Sequence, residues 1–376
     1  MAEAKFIDVD GHIMEPSKMW EEYIDPEYKD RAMGIGVDEQ GLEYLKVDGD
    51  KAWFTQGGML GALGAIGQDV RPFLTQGKIT WEEALVPGGY DPQERIKVMD
   101  AEEIDVSLLY PSLGLDWEQD CPDPKLAAAY CRAYNNWLFD FCEAYPDRMI
   151  PVAHLPMIDV GEAAKELKRT AKLGAKAAML ASQSPSGHPY GSPYYDPLWE
   201  AAQEADIPVT LHPALGTRCI ASQAYPRRED ITTWWVFVLG GEDLKINFTS
   251  FFNGGTFEHF PSLKVVILES GIGWLAYWID RMDEKFEVNG FTTPMKQKPN
   301  EYFQRQCWAV MDPDERLARF NIEALGADKF MWAYDYPHSD SVVEPVSKLK
   351  ENLSPLPEEA QRKVFGENAI DLYKLG

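Results

Sequence analysis

Short apolar runs alternate with longer amphipathic segments along most of the chain. A short apolar run predicts a buried strand, and apolar positions three or four residues apart predict a helix. Strands are expected at 5–10, 104–112, 149–157, 175–182, 207–213, 263–270 and 329–337, with the segment 245–250 as a strand or a buried helix. Helices are expected at 92–103, 123–146, 161–174 and 194–206, and a last one begins near Pro357.

Strands that alternate with helices favour a parallel sheet. The number of such units predicts a (β/α)8 TIM barrel in the α/β class. A doubly wound open sheet is the alternative, but the first strand is not followed by the GxGxxG turn that would support it. We therefore expect one barrel domain over residues 1–376.

Residues 30–90 interrupt this alternation. The segment is rich in glycine and contains short alternating pieces around "LEYLKVDGDKAWF", in which "DGDK" predicts a hairpin turn. We interpret it as a small insertion after the first strand, with two or three antiparallel strands and a mobile glycine-rich loop. An insertion at this end of a barrel overhangs the active-site face.

Composition limits the possible partners. The 376 residues include 61 acids and 36 bases, a net charge of −25 that disfavours nucleic acid and anionic membranes. There is no long apolar span and no signal-peptide pattern. The five cysteines form no CxxC motif, which favours free thiols in a cytoplasmic protein. A small-molecule substrate and a homodimer are the corresponding expectations.

Three of the six histidines follow predicted strands, namely His12, His212 and His338. Strand ends of a barrel converge on one face, so these side chains are expected to meet there. Asp10 and His12 are two residues apart and share a strand face, and Asp335 follows another apolar strand. Two buried carboxylates beside two imidazoles predict one divalent metal ion, zinc first, with manganese or iron as alternatives.

Each of these residues also has a purely structural interpretation. Asp10 could cap the turn that follows it, Asp335 could form an Asx-turn, and His212 could be a core histidine. Spacing alone leaves this choice open.

Several motifs together resemble the amidohydrolase-related family, which includes aminocarboxymuconate-semialdehyde decarboxylase and γ-resorcylate decarboxylase. The motifs are "DVDGHIMEP", "LHPALG", "NGGTFEHFPSLKVVILESGIGWLAYWIDRMDE", "YDYPHSD" and "GENAIDLYKL", in the family's order. The resemblance implies a metal-dependent TIM barrel. It also implies Asp10, His12, His212 and Asp335 as metal ligands, with Asp335 as a catalytic base as well.

The resemblance assigns further roles. His338 is expected to line the pocket as a catalytic residue, and Glu15 is expected to support the site. Apart from the resemblance, two residues are candidates for substrate binding. Arg218 closely follows a predicted barrel strand and its planar fork matches a carboxylate, with Arg227 and Arg228 as rivals. His188 lies on a loop rich in proline and glycine that could reach the pocket, with an exposed loop position as the alternative. Two other histidines have simpler expectations, His154 in the core and His259 on a helix surface.

One position departs from the family's pattern. Decarboxylases of the semialdehyde type carry a histidine in an "HGGGxF" run, which is thought to protonate the substrate. Here the stretch is "FFNGGTF", with Phe252 at the place of that histidine. This weighs against decarboxylation by that route.

We therefore expect a metal-dependent hydrolase, in which a metal-activated water attacks a carbonyl-type substrate and Asp335 transfers the proton. A non-oxidative decarboxylase of an aromatic or unsaturated carboxylic acid is the alternative. An inactive barrel that only binds a partner is a third hypothesis, and the intact set of candidate ligands disfavours it.

Overall fold

The computed structural model describes residues 5–52, 60–71, 79–115, 117–214 and 233–376. Eight parallel strands close into a barrel in the order β1-β11-β10-β9-β8-β7-β6-β5, which confirms the predicted TIM barrel. The barrel strands are β1 (Ile7–His12), β5 (Val106–Tyr110), β6 (Met149–His154), β7 (Ala177–Ala181), β8 (Val209–His212), β9 (Val265–Ile267), β10 (Cys307–Met311) and β11 (Phe330–Trp332). Strands β2 to β4 belong to the insertion.

Most helices pack around the outside of the barrel, whereas the last one contributes Ala369, Leu372 and Tyr373 to the apolar cluster of its interior. The helices span Met19–Tyr23, Trp81–Ala84, Pro87–Tyr90, Pro92–Ala101, Pro124–Glu143, Val160–Leu173, Asp196–Ala205, Thr233–Asn253, Thr256–His259, Leu275–Asn289, Pro299–Gln306, Ala318–Leu325, Pro345–Leu353, Glu358–Arg362 and Asn368–Tyr373. Local sequence explains their starts: Asp91 and Asp123 accept hydrogen bonds from the first turn, and each precedes a proline. Among the described residues, no helix combines the length and the apolar character that crossing a bilayer requires.

The structure decides one open alternative and adds one strand that was not predicted. Residues 245–250 lie inside the helix Thr233–Asn253, so the buried-helix alternative holds. Leu244, Phe248 and Phe251, spaced four and three residues apart, are all buried there, which is the helical period. The eighth barrel strand is instead β10, whose five residues follow the helix Pro299–Gln306 without a turn signal.

The insertion forms a three-stranded antiparallel sheet of β2 (Gly34–Val37), β3 (Glu43–Val47) and β4 (Asp50–Lys51). Asp48 and Gly49 make the predicted turn, with φ of 50° and 91°, as a type I′ hairpin requires. Much of the predicted glycine-rich loop lies outside the described residues, at 53–59 and 72–78. The assignment of the whole chain to one domain stays a prediction.

Strand β1 changes its facing direction part-way along. Ile7 and Val9 pack with the apolar interior of the barrel, whereas Asp8 contacts Ser107 outside it. The pairing with β5 shifts between Asp8 and Gly11, as expected for a bulge. Beyond the bulge, Asp10 and His12 turn towards His212. The bulge therefore presents both side chains at the carboxyl end of the barrel.

Candidate metal centre and active site

Four side chains from three strand ends converge at the carboxyl face of the barrel. Asp10 and His12 come from β1, His212 ends β8, and Glu269 follows β9 by two residues. One possible ligand atom from each lies within 4.8 Å of the others. The Nε2 atom of His212 is 2.8 Å from Glu269 Oε2 and 3.7 Å from Asp10 Oδ1. Nitrogen and carboxylate oxygen in this mixture suit a divalent transition metal.

Asp335 belongs to an adjoining group that shares His12. Its Oδ1 lies 2.9 Å from His12 Nε2 and 3.1 Å from His338 Nδ1. Asp335 and Glu269 both adopt positive φ, 58° and 41°. Such backbone strain in residues other than glycine concentrates at functional sites. The sequence-predicted ligand set is thus split into two touching groups, and Glu269 is added to the first.

The two imidazoles are oriented by backbone carbonyls. His12 Nδ1 lies 2.6 Å from the carbonyl of Pro111, and His212 Nδ1 lies 2.7 Å from that of Pro213. A carbonyl only accepts, so both Nδ1 atoms carry the proton. In the neutral tautomer each Nε2 then offers a lone pair to the centre, as metal-ligating histidines do.

The atoms that face the centre make no hydrogen bond of good geometry, although His12 Nε2 and His212 Nε2 lie within ion-pair distance of Asp335 and Glu269. Within the part of the chain that the structure describes, the buried atoms without such a bond include both carboxylate oxygens of Asp10, the Nε2 atoms of His12 and His212, and Asp335 Oδ1. Buried polar atoms are rarely left unpaired, because the cost is about 1–3 kcal/mol each and more for charged groups. A cation bound between them would pair all of these atoms, so the residues present fit a metal ion.

Burial and neighbouring charges shift the pKa values of several residues in the centre. Burial, followed by the charge of His338, lowers the pKa of His12 to about 4. Burial also disfavours the charged form of His212, but Asp10 and Glu269 outweigh it and raise the pKa to about 10. Burial raises the pKa of Asp10 well above its usual range. Metal binding would displace the proton that the carboxylates hold on His212.

His338 lies beside Asp335 at the wall of the cavity. Burial opposes the protonation of His338, but Asp335 outweighs this effect and raises the pKa of His338 to about 9. Burial also favours the neutral form of Asp335, but His338 and His12 outweigh it and hold the pKa of Asp335 well below its usual range. The Nε2 atom of His338 is 2.8 Å from Ser112 Oγ, and that hydroxyl donates to the carbonyl of Ile13. His338 is therefore held from both sides.

Glu15 organises the loop after β5. Its carboxylate accepts hydrogen bonds from the backbone N–H groups of Ser112, Leu113 and Gly114. This is the supporting arrangement expected for it, since the same loop carries Ser112. Burial raises the pKa of Glu15 to about 7, against the lowering effect of the N–H donors.

A cavity of about 260 Å³ opens beside the centre. Its floor includes His212, Glu269, Asp335 and His338. The apolar lining of the cavity comes from the insertion, from surrounding loops and from the helix Thr233–Asn253, namely Leu60, Ala62, Leu63, Leu115, Phe237 and Val342. Three further carboxylates also line the cavity, those of Asp312, Asp314 and Asp340. Leu60, Ala62 and Leu63 belong to the insertion; that the insertion as a whole covers the active-site face stays a prediction. A polar floor with apolar walls is the usual form of a small-molecule site.

The remaining sequence-predicted residues are either placed away from the centre or not described by the structure. His188 is exposed and stacks on Tyr194 at 4.5 Å, and it is not among the described residues that line the cavity. Arg218 lies outside the described residues. His154 is buried and paired with Glu118, and His259 is exposed at a helix end, both as expected.

The argument from Phe252 is wrong in its premise. Phe252 lies within the helix Thr233–Asn253, is 2% exposed and packs against Phe248 and Phe257. Among the described residues that line the cavity, Phe252 does not occur. Its identity therefore carries no information about a proton donor at the site.

Glu269 is the residue that sequence reasoning missed. It follows the apolar strand "VVI" directly through Leu268, so it has the same signal as Asp335, a carboxylate just after a buried strand. The sequence predicts a strand over 263–270, and the carboxylate near the end of that strand is the signal that could have identified Glu269.

Comparison with known proteins agrees with this geometry. The sequence profile of the amidohydrolase family matches residues 7–375. The chain belongs to the amidohydrolase family. Among curated relatives, it is 28% identical over 296 residues to the γ-resorcylate decarboxylase of Polaromonas sp. strain JS666, covering 75% of this chain and 86% of that one.

Solved structures share the fold. An amidohydrolase from Mycobacterium avium subsp. paratuberculosis superposes with a TM-score of 0.82 at 22% identity, over 99% of this chain and 100% of that one. A dihydroxybenzoic acid decarboxylase from Polaromonas sp. JS666, with bound manganese and the inhibitor 2-nitroresorcinol, gives a TM-score of 0.66 at 21% identity, over 99% and 98%.

These comparisons overturn the expectation of hydrolysis. The relatives and structures named by a specific activity are decarboxylases of aromatic acids. The prediction of a hydrolase as the main activity, and of a metal-activated water attacking a carbonyl, is therefore wrong. Together with the removal of the Phe252 argument, this leaves the decarboxylase alternative.

Proposed function

We propose that this protein is a metal-dependent, non-oxidative decarboxylase of a hydroxylated aromatic carboxylic acid. The observation that carries the proposal is the convergence of buried atoms of Asp10, His12, His212 and Asp335, of which His212 and Asp335 line a ring-sized cavity. The aromatic-acid decarboxylases among its relatives support the choice of reaction.

Asp10, His12, His212 and Asp335 would hold the metal, with Glu269 as a further donor. We propose manganese rather than zinc, because a related decarboxylase structure contains it and because three of these five donors are carboxylates. When bound, the ion supplies positive charge that can hold the substrate's carboxylate and an adjacent oxygen. It also compensates the buried carboxylates of the site.

The apolar walls of the cavity fit the aromatic ring. Leu63 and Leu115 belong to these walls, and both adjoin the polar floor. A cavity of about 260 Å³ admits a single substituted ring, since sites for larger ligands are about 300–1,000 Å³. Closure of the walls over the ring would keep water from the reacting carbon.

Decarboxylation breaks the bond between the ring carbon and the carboxylate carbon. The electron pair stays on the ring, carbon dioxide leaves, and a proton must then reach the same carbon. Asp335 and His338 face the cavity with Oδ1 and Nδ1 3.1 Å apart. We assign to this pair the delivery of that proton, with Ser112 orienting His338 from behind.

Two further predictions from the sequence keep their status as proposals. Arg218 is proposed to bind a substrate oxygen, and a homodimer is proposed as the assembly. For His188, the exposed position stacked on Tyr194 supports no contact with substrate from the described cavity.

The test is release of carbon dioxide by the purified protein after loading with Mn²⁺. The substrates are 2,6-dihydroxybenzoate and 5-carboxyvanillate, which the related decarboxylases are named for. We expect release that is abolished by a chelator, restored by Mn²⁺ and lost in Asp335→Asn. His259→Ala, at an exposed helix end, is the control and should retain activity. A Mn²⁺-loaded protein that releases no carbon dioxide from a panel of hydroxybenzoates would overturn the proposal.

A further inference from the structure

A second buried polar cluster lies behind β1, on the helix side of the barrel wall. It consists of Asp8, Ser107 and Arg95, which are 0%, 0% and 1% exposed. The hydroxyl of Ser107 donates to Asp8 Oδ2 at 2.6 Å, and Arg95 Nη2 donates to Ser107 Oγ at 3.3 Å. We refer to these three residues as the Asp8–Arg95 network.

The network bonds directly to the backbone on both sides of the candidate metal centre. Arg95 Nη1 donates to the carbonyl of His12 at 2.6 Å. Asp8 Oδ1 accepts from the N–H of Asp10 at 3.2 Å and from the N–H of Tyr334 at 2.9 Å. Tyr334 immediately precedes Asp335. The network therefore connects the segment that carries Asp10 and His12 to the segment that carries Asp335.

These contacts coincide with the bulge in β1. The pairing of β1 with β5 shifts between Asp8 and Gly11, and a bulge leaves backbone groups without their ladder partners. A Cβ at Gly11 would lie 2.5 Å from Arg95 Nη2 and 2.6 Å from Asp8 Oδ2. Only glycine leaves room for the network there, so the residue at the end of the bulge and the network fit each other.

The guanidinium of Arg95 is suited to this position. It is permanently charged, and its planar fork reaches two acceptors at once. Here those acceptors are the His12 carbonyl on β1 and the Ser107 hydroxyl on β5, while the group also lies 4.9 Å from the ring of Tyr336. A lysine would keep the charge but offers no rigid fork. Arg95→Lys therefore removes the planar fork of the guanidinium while it keeps the positive charge.

We propose that Asp8, Ser107 and Arg95 are positioning residues for the metal centre. They set the separation between the Asp10–His12 segment and the Asp335 segment, and hence the affinity and symmetry of the bound cation. This inference rests on the metal site of the proposed function. It does not require that the reaction be decarboxylation.

The experiment measures Mn²⁺ binding by equilibrium dialysis, with the electron paramagnetic resonance spectrum of the bound ion as a second readout. Arg95→Lys is compared with wild type and with Arg148→Lys. Arg148 also donates to carbonyls that flank β5, those of Ile104 and Asp105, but at the amino end of the strand. Arg148→Lys is therefore a matched control: it also removes an arginine fork that binds backbone carbonyls, but at the end of the barrel opposite to the metal centre.

We expect Arg95→Lys to weaken Mn²⁺ binding at least about tenfold, as loss of a group that orients metal ligands typically does, and to change the spectrum. Arg148→Lys should bind as wild type does. Ser107→Ala, which removes only the bridging hydroxyl, should fall between them and serves if Arg95→Lys does not fold. Thermal unfolding of each metal-free variant separates loss of stability from loss of metal binding.

Wild-type affinity and spectrum in folded Arg95→Lys or Ser107→Ala would overturn the proposal, even if the enzyme decarboxylates. A wild-type protein that binds no Mn²⁺ would overturn it too. A protein whose Mn²⁺ binding depends on Arg95 but which releases no carbon dioxide would support the network and contradict only the proposed reaction.

Discussion

Two buried histidine–carboxylate clusters in this barrel look alike in burial and differ in hydrogen bonding. His154 Nε2 lies 2.9 Å from Glu118 Oε1, and the other oxygen of Glu118 accepts from the N–H of Met157. The backbone of His154 is bonded in both directions to Asn135. In the candidate metal centre, by contrast, both carboxylate oxygens of Asp10 lack a hydrogen-bond partner among the described residues, and its Oδ1 stays 3.7 Å from the Nε2 atoms of His12 and His212.

This comparison shows how a structural histidine can be distinguished from a histidine that binds a metal. Burial is about 1% exposure or less for all three histidines, so burial does not discriminate. What discriminates is whether the side-chain atoms are satisfied within the protein. A satisfied pair contributes to stability alone, whereas an unsatisfied set indicates a missing positive charge. The predictions below test this distinction in decreasing order of expected effect.

The largest effect is expected from His212→Ala. This change removes the nitrogen that lies between Asp10 and Glu269. Metal binding should weaken by more than the roughly 10- to 100-fold typical of losing an outer partner of a ligand, and carbon dioxide release should fall to background. Metal content by mass spectrometry checks the first part. Full metal occupancy in this variant would remove His212 from the centre.

His154→Ala should lower the stability of the protein without changing its metal content. It leaves Glu118 buried without its partner, which should lower the free energy of unfolding by about 3–5 kcal/mol. Metal content of the folded protein should stay at the wild-type value, because His154 is not part of the cluster. Chemical denaturation and mass spectrometry measure the two quantities. Loss of metal from folded His154→Ala would break the comparison between the two clusters.

Glu15→Gln should have a smaller effect, on stability and its pH dependence. An amide nitrogen in place of one carboxylate oxygen meets backbone N–H donors, at a cost of about 1–3 kcal/mol. Because the folded pKa of Glu15 is raised from 4.5 to about 7, the folded state binds the proton more tightly. The contribution of this carboxyl is therefore present below the unfolded pKa and is lost as pH rises towards 7.

Unfolding in urea between about pH 5.5 and 7.5, for wild type and Glu15→Gln, measures this contribution. The stability of wild type relative to the variant should fall as pH rises through that window. A difference that is constant across the window would show that Glu15 is ionised throughout, held so by the three N–H donors.

His188→Ala is expected to have the smallest effect. The side chain is exposed, and its ring stacks on Tyr194. Substitutions at such surface positions usually change free energies by less than about 0.5 kcal/mol, which is about a twofold change in kcat/KM. Steady-state kinetics on the active substrate would check this. A rise of tenfold or more in KM alone would return His188 to the substrate site.

Much of the fold could be predicted from local pattern. Seven of the barrel strands were predicted because a short apolar run has the same meaning wherever it occurs. The exception shows the limit: β10 carries no turn signal before it, while residues 245–250 have a strand-like composition inside a helix. Periodicity over six residues does not separate a short strand from part of a buried helix.

Local pattern was enough to indicate the type of site. The barrel alternation and the spacing of Asp10 and His12 place these residues, with His212 and Asp335, at strand ends that must converge. The composition and geometry of the centre depend on tertiary contacts. Glu269 joins it because β9 lies beside β8, Phe252 is excluded from it by a helix, and a bulge turns Asp10 inwards while Asp8 faces Arg95 outside the barrel. Such contacts depend on which strands become neighbours and where their register shifts, and neither is encoded in the local periodicity.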